Sequence, residues 1–346
     1  MSATLVSIFV AGFMKEQVAR GEPWMEDGNV CLVTADSDKP TAFKVHRSVM
    51  ARHSEIFESM FMVPQPPSEV VETAEGCQVV RMWDPPQELA SLIEAIYDGL
   101  KFANRKPADF FHLAGILRLS TKYEIAKFRQ QAITFLSQTW SHTLQGHDNL
   151  VDAAIRSPVL DGLTYPWIHP LHVLNLAQET DVRIVVPSAV YFLSLYQLEG
   201  LLRGDHPKLK LEHPSKPSSE LSPTVLVQYT LMHQKRLDII LHFVRDFCNT
   251  RNPWPTCGTM SICTRGFTRL ASRLGRSWIP RTGPIHYMSQ AISEITEEPK
   301  SSLCEPCRQS FIADVKRLRD KTWNELPAVL NLPSWEELEA VELHAG

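Results

Sequence analysis

Cysteines near the end of the chain offer the strongest candidate for chemistry. The pair Cys304-x-x-Cys307, in SLCEPCRQSF, has good metal-site spacing, and Cys257 and Cys263 form a looser pair in CGTMSIC. Closely spaced thiolates on a turn converge at the roughly 2.3 Å that a zinc–sulfur bond requires. The two pairs therefore predict one tetrahedral site of four thiolates. Such a closed site would hold a structural zinc ion and would not be catalytic.

The competing interpretation is a set of reduced, partly buried thiols. Cys248 with His242 could also replace one partner of the site. Redox chemistry has less support, because no thioredoxin-like strand precedes the Cys304–Cys307 pair. The chain has seven cysteines, and an odd number without a secretion signal argues against a disulfide framework.

A basic helix face is the second candidate. Four arginines follow at helical spacing in CTRGFTRLASRLGRSW: Arg265, Arg269, Arg273 and Arg276. No acidic residue lies between Thr259 and Ser293, so this face could bind phosphate groups or an acidic partner protein. A solvated helix face is favoured instead, because the chain shows no recognised nucleic-acid motif and its net charge is negative.

Signatures of catalysis are missing from the sequence. His169-Pro-Leu-His172 has the step of a ligand pair, but no carboxylate or cysteine clusters beside it, so both histidines are interpreted as surface or core residues. The chain contains no GxGxxG, GxxxxGK[ST], GxSxG or HExxH pattern. The sequence therefore predicts a protein that is not an enzyme.

Length and composition indicate the number of folded units and the class of protein. A chain of 346 residues predicts two or three folded units. Its 44% hydrophobic and 21% charged residues are typical of a soluble globular protein, and a formal net charge of -4 gives no general attraction to nucleic acid or to anionic membranes. No segment has the eighteen uninterrupted apolar residues of a membrane span. We expect an intracellular protein, in the cytoplasm or the nucleus, with no membrane partner.

The N-terminal segment MSATLVSIFVAGFMKEQ is largely apolar. Its large apolar side chains fall at helical spacing: Leu5, Ile8, Phe9 and Phe13. The pattern predicts a helix within residues 1–24 that docks or dimerises. A secretory signal is the alternative, but the segment has no basic region at its start.

Residues 25–140 predict a small sheet wrapped by helices, which gives an α+β fold. GNVCLVTADSDKPTAFKV predicts a hairpin with strands Val30–Thr34 and Ala42–Val45. The second strand continues without a break into FKVHRSVMARHSEIFESMF, whose apolar positions then follow helical spacing. CQVVRMW predicts a third strand, and PPQELASLIEAIYDG predicts a helix that ends before Gly99. FFHLAGILRLSTKY and EIAKFRQQAITFL predict two further helices.

This order of elements, with FKVHRSVMARHSEIFESMF at its centre, resembles the BTB/POZ domain, a protein–protein interaction fold. The resemblance implies that His46 packs and hydrogen-bonds beside a dimer interface. It also implies a structural motif around that histidine: Phe43, Val49, Phe57 and Phe61. For the dimer interface itself we expect Met60 and the N-terminal residues Leu5, Ile8, Phe9 and Phe13.

Two positions depart from the pattern that the resemblance implies. Many BTB domains have an aspartate just before the first strand, where this chain has Asn29, with Asp27 two residues earlier. The loop MFMVPQPPSE lacks the clear apolar-x-Glu pattern that some family members use to bind a cullin scaffold. A cullin partner therefore rests on analogy alone.

The rest of the chain predicts mostly helices. Residues 141–205 form a helical region, residues 206–224 a Pro- and Ser-rich linker or mobile loop, and residues 225–346 a helical C-terminal region that carries the cysteines. The segments NLAQETDVRIVVPSAVYFL, CEPCRQSF and WNELPAVLNLPSWEEL resemble BTB-containing proteins of mushroom-forming (basidiomycete) fungi. That resemblance implies no known chemistry.

The function that follows is a non-enzymatic interaction scaffold that binds protein partners and self-associates, as a homodimer, through a BTB domain. Two alternatives stay open. One is a substrate adaptor of a cullin-type ubiquitin ligase, and the other is a transcription or chromatin regulator that uses the arginine face, although a nucleic-acid partner is disfavoured. A structural zinc ion is the only cofactor that the sequence suggests.

Overall fold

The chain folds into two compact units. The structure, a computed structural model, describes residues 4–35, 39–63, 71–297 and 303–344. The first unit comprises the residues up to Phe135 together with Leu211–Pro217, and the second comprises Leu136–Lys210 and the residues from Ser218 onward. The first unit has a small sheet and helices and the second is mostly helical, so the α+β fold class is confirmed.

In the part of the chain that the structure describes, six strands form the sheet of the first unit. They are β1 (Leu5–Val10), β2 (Phe13–Arg20), β3 (Val30–Thr34), β4 (Thr41–Val45), β5 (Glu72–Ala74) and β6 (Cys77–Met82). They hydrogen-bond in the order β1-β2-β4-β3-β6-β5, and β5 pairs back with β1, which closes the sheet. The pairs β2–β4 and β3–β6 are parallel and the others are antiparallel. The closing contacts are short, because β2 pairs with β4 at Ala19 and Arg20 and β1 pairs with β5 at Ile8–Val10.

The predicted N-terminal helix is wrong, because residues 5–20 form the hairpin β1–β2. Side chains alternate along β1, with Val6 and Ile8 buried and Leu5 and Phe9 exposed. This two-residue period is that of a strand. Apolar residues on both faces imitated helical spacing in the sequence.

Five helices pack on this sheet. They are α1 (Arg47–His53), α2 (Glu55–Met62), α3 (Pro86–Asp98), α4 (Pro107–Lys122) and α5 (Ala126–Thr139). Ser54 separates α1 from α2, and its hydroxyl accepts the amide hydrogen of Phe57, which caps the second helix. The core joins β3, β4 and the inner faces of the helices through fully buried apolar residues such as Leu32, Phe43 and Leu92.

Within the described residues, the second unit has ten further α-helices and a short 3-10 helix, Pro207–Leu209. The α-helices are α6 (Leu144–Arg156), α7 (Pro170–Thr180), α8 (Val186–Leu193), α9 (Leu198–Arg203), α10 (Pro223–Leu241), α11 (Met260–Ser277), α12 (Pro284–Glu297), α13 (Glu305–Asn324), α14 (Leu326–Val329) and α15 (Trp335–Glu342). A π-helical segment, His242–Cys248, extends α10. Proline occupies the first turn of α7, α8, α10 and α13, where its missing amide hydrogen costs nothing.

The core of the second unit includes a tryptophan pair near the C-terminus. The rings of Trp323 and Trp335 stack with centroids 5.8 Å apart, and both side chains are buried. Each indole N–H donates to a carbonyl oxygen, Trp323 to His142 at 2.7 Å and Trp335 to Trp323 at 3.0 Å. The polar N–H group of each indole is thus hydrogen-bonded inside this unit.

The Pro- and Ser-rich segment 206–224 contributes buried residues to both units. In the second unit Leu209 is buried and Lys208 donates to the carbonyl oxygen of Pro166 at 2.6 Å. In the first unit Ser215 is buried, and its carbonyl oxygen accepts from Arg118 at 3.1 Å. Composition alone gave no sign of this packing.

Candidate metal centre and interaction surface

Four cysteines of the second unit form a compact sulfur cluster, which consists of Cys257, Cys263, Cys304 and Cys307. Their Sγ atoms all lie within 4.8 Å of one another. A tetrahedral site with bonds of 2.3 Å has sulfur atoms about 3.8 Å apart, and the Sγ atoms of Cys304 and Cys257 are separated by 3.5 Å. All four are free cysteines. The structure thus brings together the residues that the sequence spacing selected.

Two helix N-termini meet at the sulfur cluster. Cys304 is the residue before α13 and Cys307 lies in its first turn, while Cys263 lies one turn into α11. The N-terminal end of a helix carries a partial positive charge. Both helices therefore favour the thiolate form of the cysteines at their ends.

Backbone amides point at the sulfur atoms. Three of them donate hydrogen bonds: Thr259 to Cys257 at 3.4 Å, Cys304 to Cys263 at 3.3 Å, and Trp254 to Cys307 at 3.2 Å. Amide donors stabilise negative charge on sulfur and fix the direction of its lone pairs. The surroundings of the cluster thus resemble the outer shell of a metal site rather than that of isolated thiols.

The cysteines of the cluster differ in how readily they ionise. Burial raises the pKa of Cys307 to about 12. At Cys257 burial acts in the same direction, but hydrogen bonds from the Thr259 amide and from the neighbouring thiols lower the pKa to about 7. Hydrogen bonds thus favour the thiolate at this position of the cluster. A bound divalent cation would hold all four as thiolates.

The alternative ligands Cys248 and His242 do not join the cluster. The imidazole of His242 is exposed and lies 3.4 Å from the carboxylate of Asp246. Cys248 is buried in the apolar core that includes Phe267 and Phe311, and burial raises its pKa to about 12. Within the described ranges, the four predicted cysteines are the one group that could hold a metal ion.

His46 lies in the first unit, at the junction of β4 and α1. Its amide donates to the hydroxyl oxygen of Tyr97 at 2.9 Å, and its Nδ1 lies 3.0 Å from the same oxygen. Its Nε2 lies 3.2 Å from a carboxylate oxygen of Asp27. Asn29 accepts from the amide of Arg47 at 2.9 Å and so caps α1. These contacts tie a strand to two helices, and they support an architectural role for the imidazole.

The other residues of the structural motif lie around that junction. Phe43 and Phe57 are fully buried, and Val49 and Phe61 are partly buried against the same core. The Phe57 ring stacks on Tyr123 with centroids 4.4 Å apart. The structure thus places this set in one core of the first unit.

The residues expected at a dimer interface divide into two groups. Leu5, Phe9 and Phe13 are exposed, Phe13 by 79%. Ile8 is fully buried inside the closed sheet, so its assignment to an interface is wrong. Met60 is partly buried against the helical core.

Sequence reasoning missed Met14, which is 60% exposed beside the first group. Phe9 is the cross-strand partner of Met14, and Val10 is that of Phe13. Leu5, Phe9, Phe13 and Met14 are the exposed apolar residues of the hairpin, and we call them the hairpin patch. Alternation along LVSIFV was the signal that could have separated these outward residues from the buried Val6 and Ile8.

The remaining candidates have ordinary surroundings. Arg265 and Arg269 are exposed on α11, and Arg273 lies 3.2 Å from the carboxylate of Glu294. His169 caps α7 by accepting from the amide of Leu171. His172 is buried, and its Nε2 lies 3.2 Å from the carbonyl oxygen of Lys208. The two histidines are parts of the helical framework.

The loop MFMVPQPPSE, considered for cullin binding, lies outside the described residues from position 64 to its end. Among the helices that the structure describes, none combines the length and the apolar character that crossing a membrane requires.

A family model matches the N-terminal part of the chain. A search of curated proteins found no similar sequence, so the fungal resemblance stays a prediction. The family model of the BTB/POZ domain matches residues 23–139. That range starts after the hairpin β1–β2 and contains β3 to β6 and α1 to α5. With the geometry of His46 and its surroundings, the match identifies residues 23–139 as a BTB/POZ domain, which is a protein–protein interaction module.

Proposed function

We propose that the chain is a non-enzymatic interaction scaffold that self-associates through its BTB domain and the hairpin attached to it. The observation that carries the proposal is the hairpin patch: four large apolar side chains on neighbouring strands, three of them more than half exposed. Phe9 and Met14 share one face of the hairpin and Phe13 lies on the other, beside Val10, so apolar side chains are exposed on both sides of the hairpin's end. Exposed apolar surface on a folded unit marks an interaction site.

The closed sheet restricts how two copies can associate. Ile8–Val10 of β1 pair with both β2 and β5, so this part of the strand has a neighbour on each side within the chain. Addition of a strand from a partner needs an open edge. At Ile8–Val10 self-association must therefore use side chains, and the hairpin patch supplies them.

The hairpin patch is suited to the centre of an interface rather than to a whole one. A stable interface buries about 800 Å² on each partner, and a few large apolar side chains provide most of its energy. Phe13 and Met14 directly follow the Ala11–Gly12 turn, so both lie at the end of the hairpin.

Light scattering coupled to size-exclusion chromatography tests this on the full chain. We expect a dimer at tens of micromolar for the natural protein and a monomer for Phe13→Asp. Val227→Asp is the matched control, because Val227 is an equally apolar, exposed residue on α10 of the second unit. A natural protein that stays monomeric at these concentrations would refute self-association.

We propose further that the sulfur cluster binds one structural zinc ion. Four cysteines, three amide donors and two helix N-termini at one point support this. A site closed by four thiolates has no open position for substrate. The ion would join the loop before α11 to the start of α13 and stabilise the second unit.

Metal analysis of protein purified without chelator tests the zinc proposal. We expect one zinc per chain in the natural protein and loss of the metal in Cys263→Ser and Cys304→Ser. Cys248→Ser removes a buried thiol outside the cluster and should retain the metal. A natural protein without stoichiometric zinc would remove this part of the proposal.

A second candidate function is that of a cullin-dependent substrate adaptor. Met62 and Val63, at the end of α2, are exposed apolar residues of the BTB domain and could contact such a scaffold. Calorimetric titration of the full chain with a cullin N-terminal domain tests it. No heat of binding at tens of micromolar would exclude this function.

A further inference from the structure

A seven-residue segment, Leu211–Pro217, contacts α3 and α4 of the BTB domain. We call it the strap. It belongs to the first unit, whereas the residues on either side of it in the sequence belong to the second. Ser215 and Pro217 of the strap are buried, and Glu212 and Pro214 are exposed. A segment with the composition of a linker thus takes part in the packing of the BTB domain.

The surface under the strap contains a buried carboxylate. Glu88, in the first turn of α3, is 3% exposed and accepts from the guanidinium of Arg118 on α4 at 2.7 Å. The hydroxyl group of Ser215 hydrogen-bonds to the same carboxylate. Burial of a carboxylate costs free energy unless its oxygen atoms are hydrogen-bonded. The strap therefore supplies one of the hydrogen bonds that hold this charge inside the domain.

A glycine of α4 leaves the space for this contact. A Cβ atom at Gly115 would lie 2.9 Å from Cγ of Glu88 and 3.3 Å from Oγ of Ser215. Both distances are shorter than ordinary van der Waals contact, so any larger residue would displace one of the two groups. The helix surface is thus shaped to accept a serine side chain beside the carboxylate.

Two further groups of the BTB domain contact the strap. Arg118 donates to the carbonyl oxygen of Ser215 at 3.1 Å. The imidazole of His213 stacks on the ring of Phe111, with centroids 4.9 Å apart and planes inclined by 20°. A serine hydroxyl, the carbonyl of the same residue and a flat ring two residues earlier are therefore each matched by a side chain of α3 or α4.

The strap forms its own turn. Nδ1 of His213 accepts from the amide of Ser215 at 3.1 Å, and the carbonyl oxygen of His213 accepts from the amide of Lys216 at 3.0 Å. Pro214 and Pro217 restrict the backbone on either side of the serine. A short segment of another protein with the same residues can therefore present the same groups.

We propose that this surface of the BTB domain is a peptide-binding site for a partner protein that presents a His-Pro-Ser-x-Pro segment, and that the strap covers the site in the free protein. The proposal deepens the scaffold function by naming a class of partner, and it depends neither on self-association nor on zinc. The strap makes few contacts, so its attachment to the chain, at an effective concentration of roughly millimolar, keeps it in place. A partner segment with added contacts displaces it.

Fluorescence anisotropy with a labelled peptide of residues 211–219, LEHPSKPSS, tests the proposal on the full chain. Two variants uncover the site. One replaces residues 211–217 by a Gly-Ser sequence of equal length, and the other, Ser215→Glu, places a second carboxylate against Glu88. We expect each variant to bind one peptide per chain. The natural protein should bind it at least tenfold more weakly, because its own strap competes.

Substituted peptides show whether the contacts are those of the strap. A peptide with Ser215→Ala loses a hydrogen bond to a charged group and should bind roughly tenfold more weakly or less. A peptide with His213→Ala loses the stacked ring and should also bind more weakly. The matched control is Glu212→Ala, because Glu212 is exposed, and its affinity should not change.

Three results would overturn the proposal. They are absence of saturable binding to both uncovered variants, equal affinity of the natural and the Ser215→Ala peptides, and equal affinity of the natural protein and the uncovered variants for the natural peptide. A protein that binds the peptide but stays monomeric would refute self-association and support this site, so the two proposals fail separately.

Discussion

At the scale of the residue, His147 on α6 should lower the free energy of unfolding. Two buried nitrogens without partners cost free energy of folding. We predict that His147→Phe raises the free energy of unfolding by about 1 kcal/mol, measured by urea denaturation at pH 7.5. His172→Phe is the control, because His172 is also buried but its ring contacts carbonyl oxygens, and it should lose stability. Equal effects of the two substitutions would contradict this.

The same histidine predicts a dependence of stability on pH. Its pKa is about 3 in the folded chain and near 6.5 in the unfolded one, so below pH 6.5 the unfolded state binds more protons. Stability is therefore fully present above pH 6.5 and falls as pH decreases, by up to about 1.4 kcal/mol per pH unit from this one group. Arg319 and His286 face the ring and oppose its charging as well.

We predict that the natural protein and His147→Phe diverge in stability as the pH is lowered from 7 to 5. Urea denaturation at each pH gives the difference, in which the effects of all other histidines cancel. The gap should widen toward pH 5, in favour of the variant. Parallel profiles would show that the imidazole is not held neutral.

The contrast between the cysteines and His147 shows what sequence can predict at this scale. Cys304 and Cys307 are close in the chain, so their spacing alone indicated a metal site, and the structure brings them to the other pair. The rings that pack against His147 belong to Phe192 and Trp323, which are distant from it in the sequence. No local sequence pattern indicates contacts between residues so far apart, so the burial of His147 among these rings could not be predicted.

At the scale of the element, two short turns determine how neighbouring strands of the sheet are connected. Ala11 and Gly12 join β1 to β2 with φ of 50° and 81°, and Glu75 and Gly76 join β5 to β6 with φ of 49° and 74°. Two residues with positive φ form the type I′ turn that suits a tight hairpin.

The strand-to-helix junction at His46 was predictable because a period of two changes there to helical spacing. The first hairpin was not, because Ala11-Gly12 is a weak turn signal between apolar residues.

Substitutions in the first turn should act through this geometry. We predict that Gly12→Ala lowers the free energy of unfolding by about 1–2 kcal/mol, since a Cβ atom disfavours positive φ, and that Ala11→Asn raises it, since asparagine tolerates that region. Chemical denaturation measures both. Gly200→Ala is the control, because this glycine lies in α9 and alanine favours a helix. Gly200→Ala should raise the free energy of unfolding. A rise for Gly12→Ala as well would contradict the proposed turn geometry.

At the scale of the whole molecule, the boundaries of the two units differ from those that the composition of the sequence suggests. The segment 206–224 has the composition of a linker, yet residues 211–217 belong to the first unit. There His213 stacks on Phe111 with ring centroids 4.9 Å apart, and Ser215 contacts Arg118. Prolines and serines suggested a loose connection, whereas the packing depends on single side chains that composition does not distinguish.

Two units with separate cores should unfold in separate steps. The first unit has the sheet-and-helix cores around Phe57 and around Ile8, and the second has the helical core that includes three cysteines of the sulfur cluster. Calorimetry of the full chain should therefore show two transitions. Because metal binding to a structural site adds to folding free energy, a zinc chelator should lower the midpoint of only one of them, by about 5 °C or more, and added zinc should restore it.

Two variants assign the transitions to the units. Phe57→Leu leaves space in the core of the BTB domain and should lower only the transition that resists the chelator, whereas Cys304→Ser should lower only the other one and abolish its response to zinc. The two substitutions should also add without interaction, because they act on different cores. A single transition that moves as a whole with both variants would show that the chain unfolds as one cooperative body, and it would remove the basis for treating the metal centre and the BTB domain as separate parts.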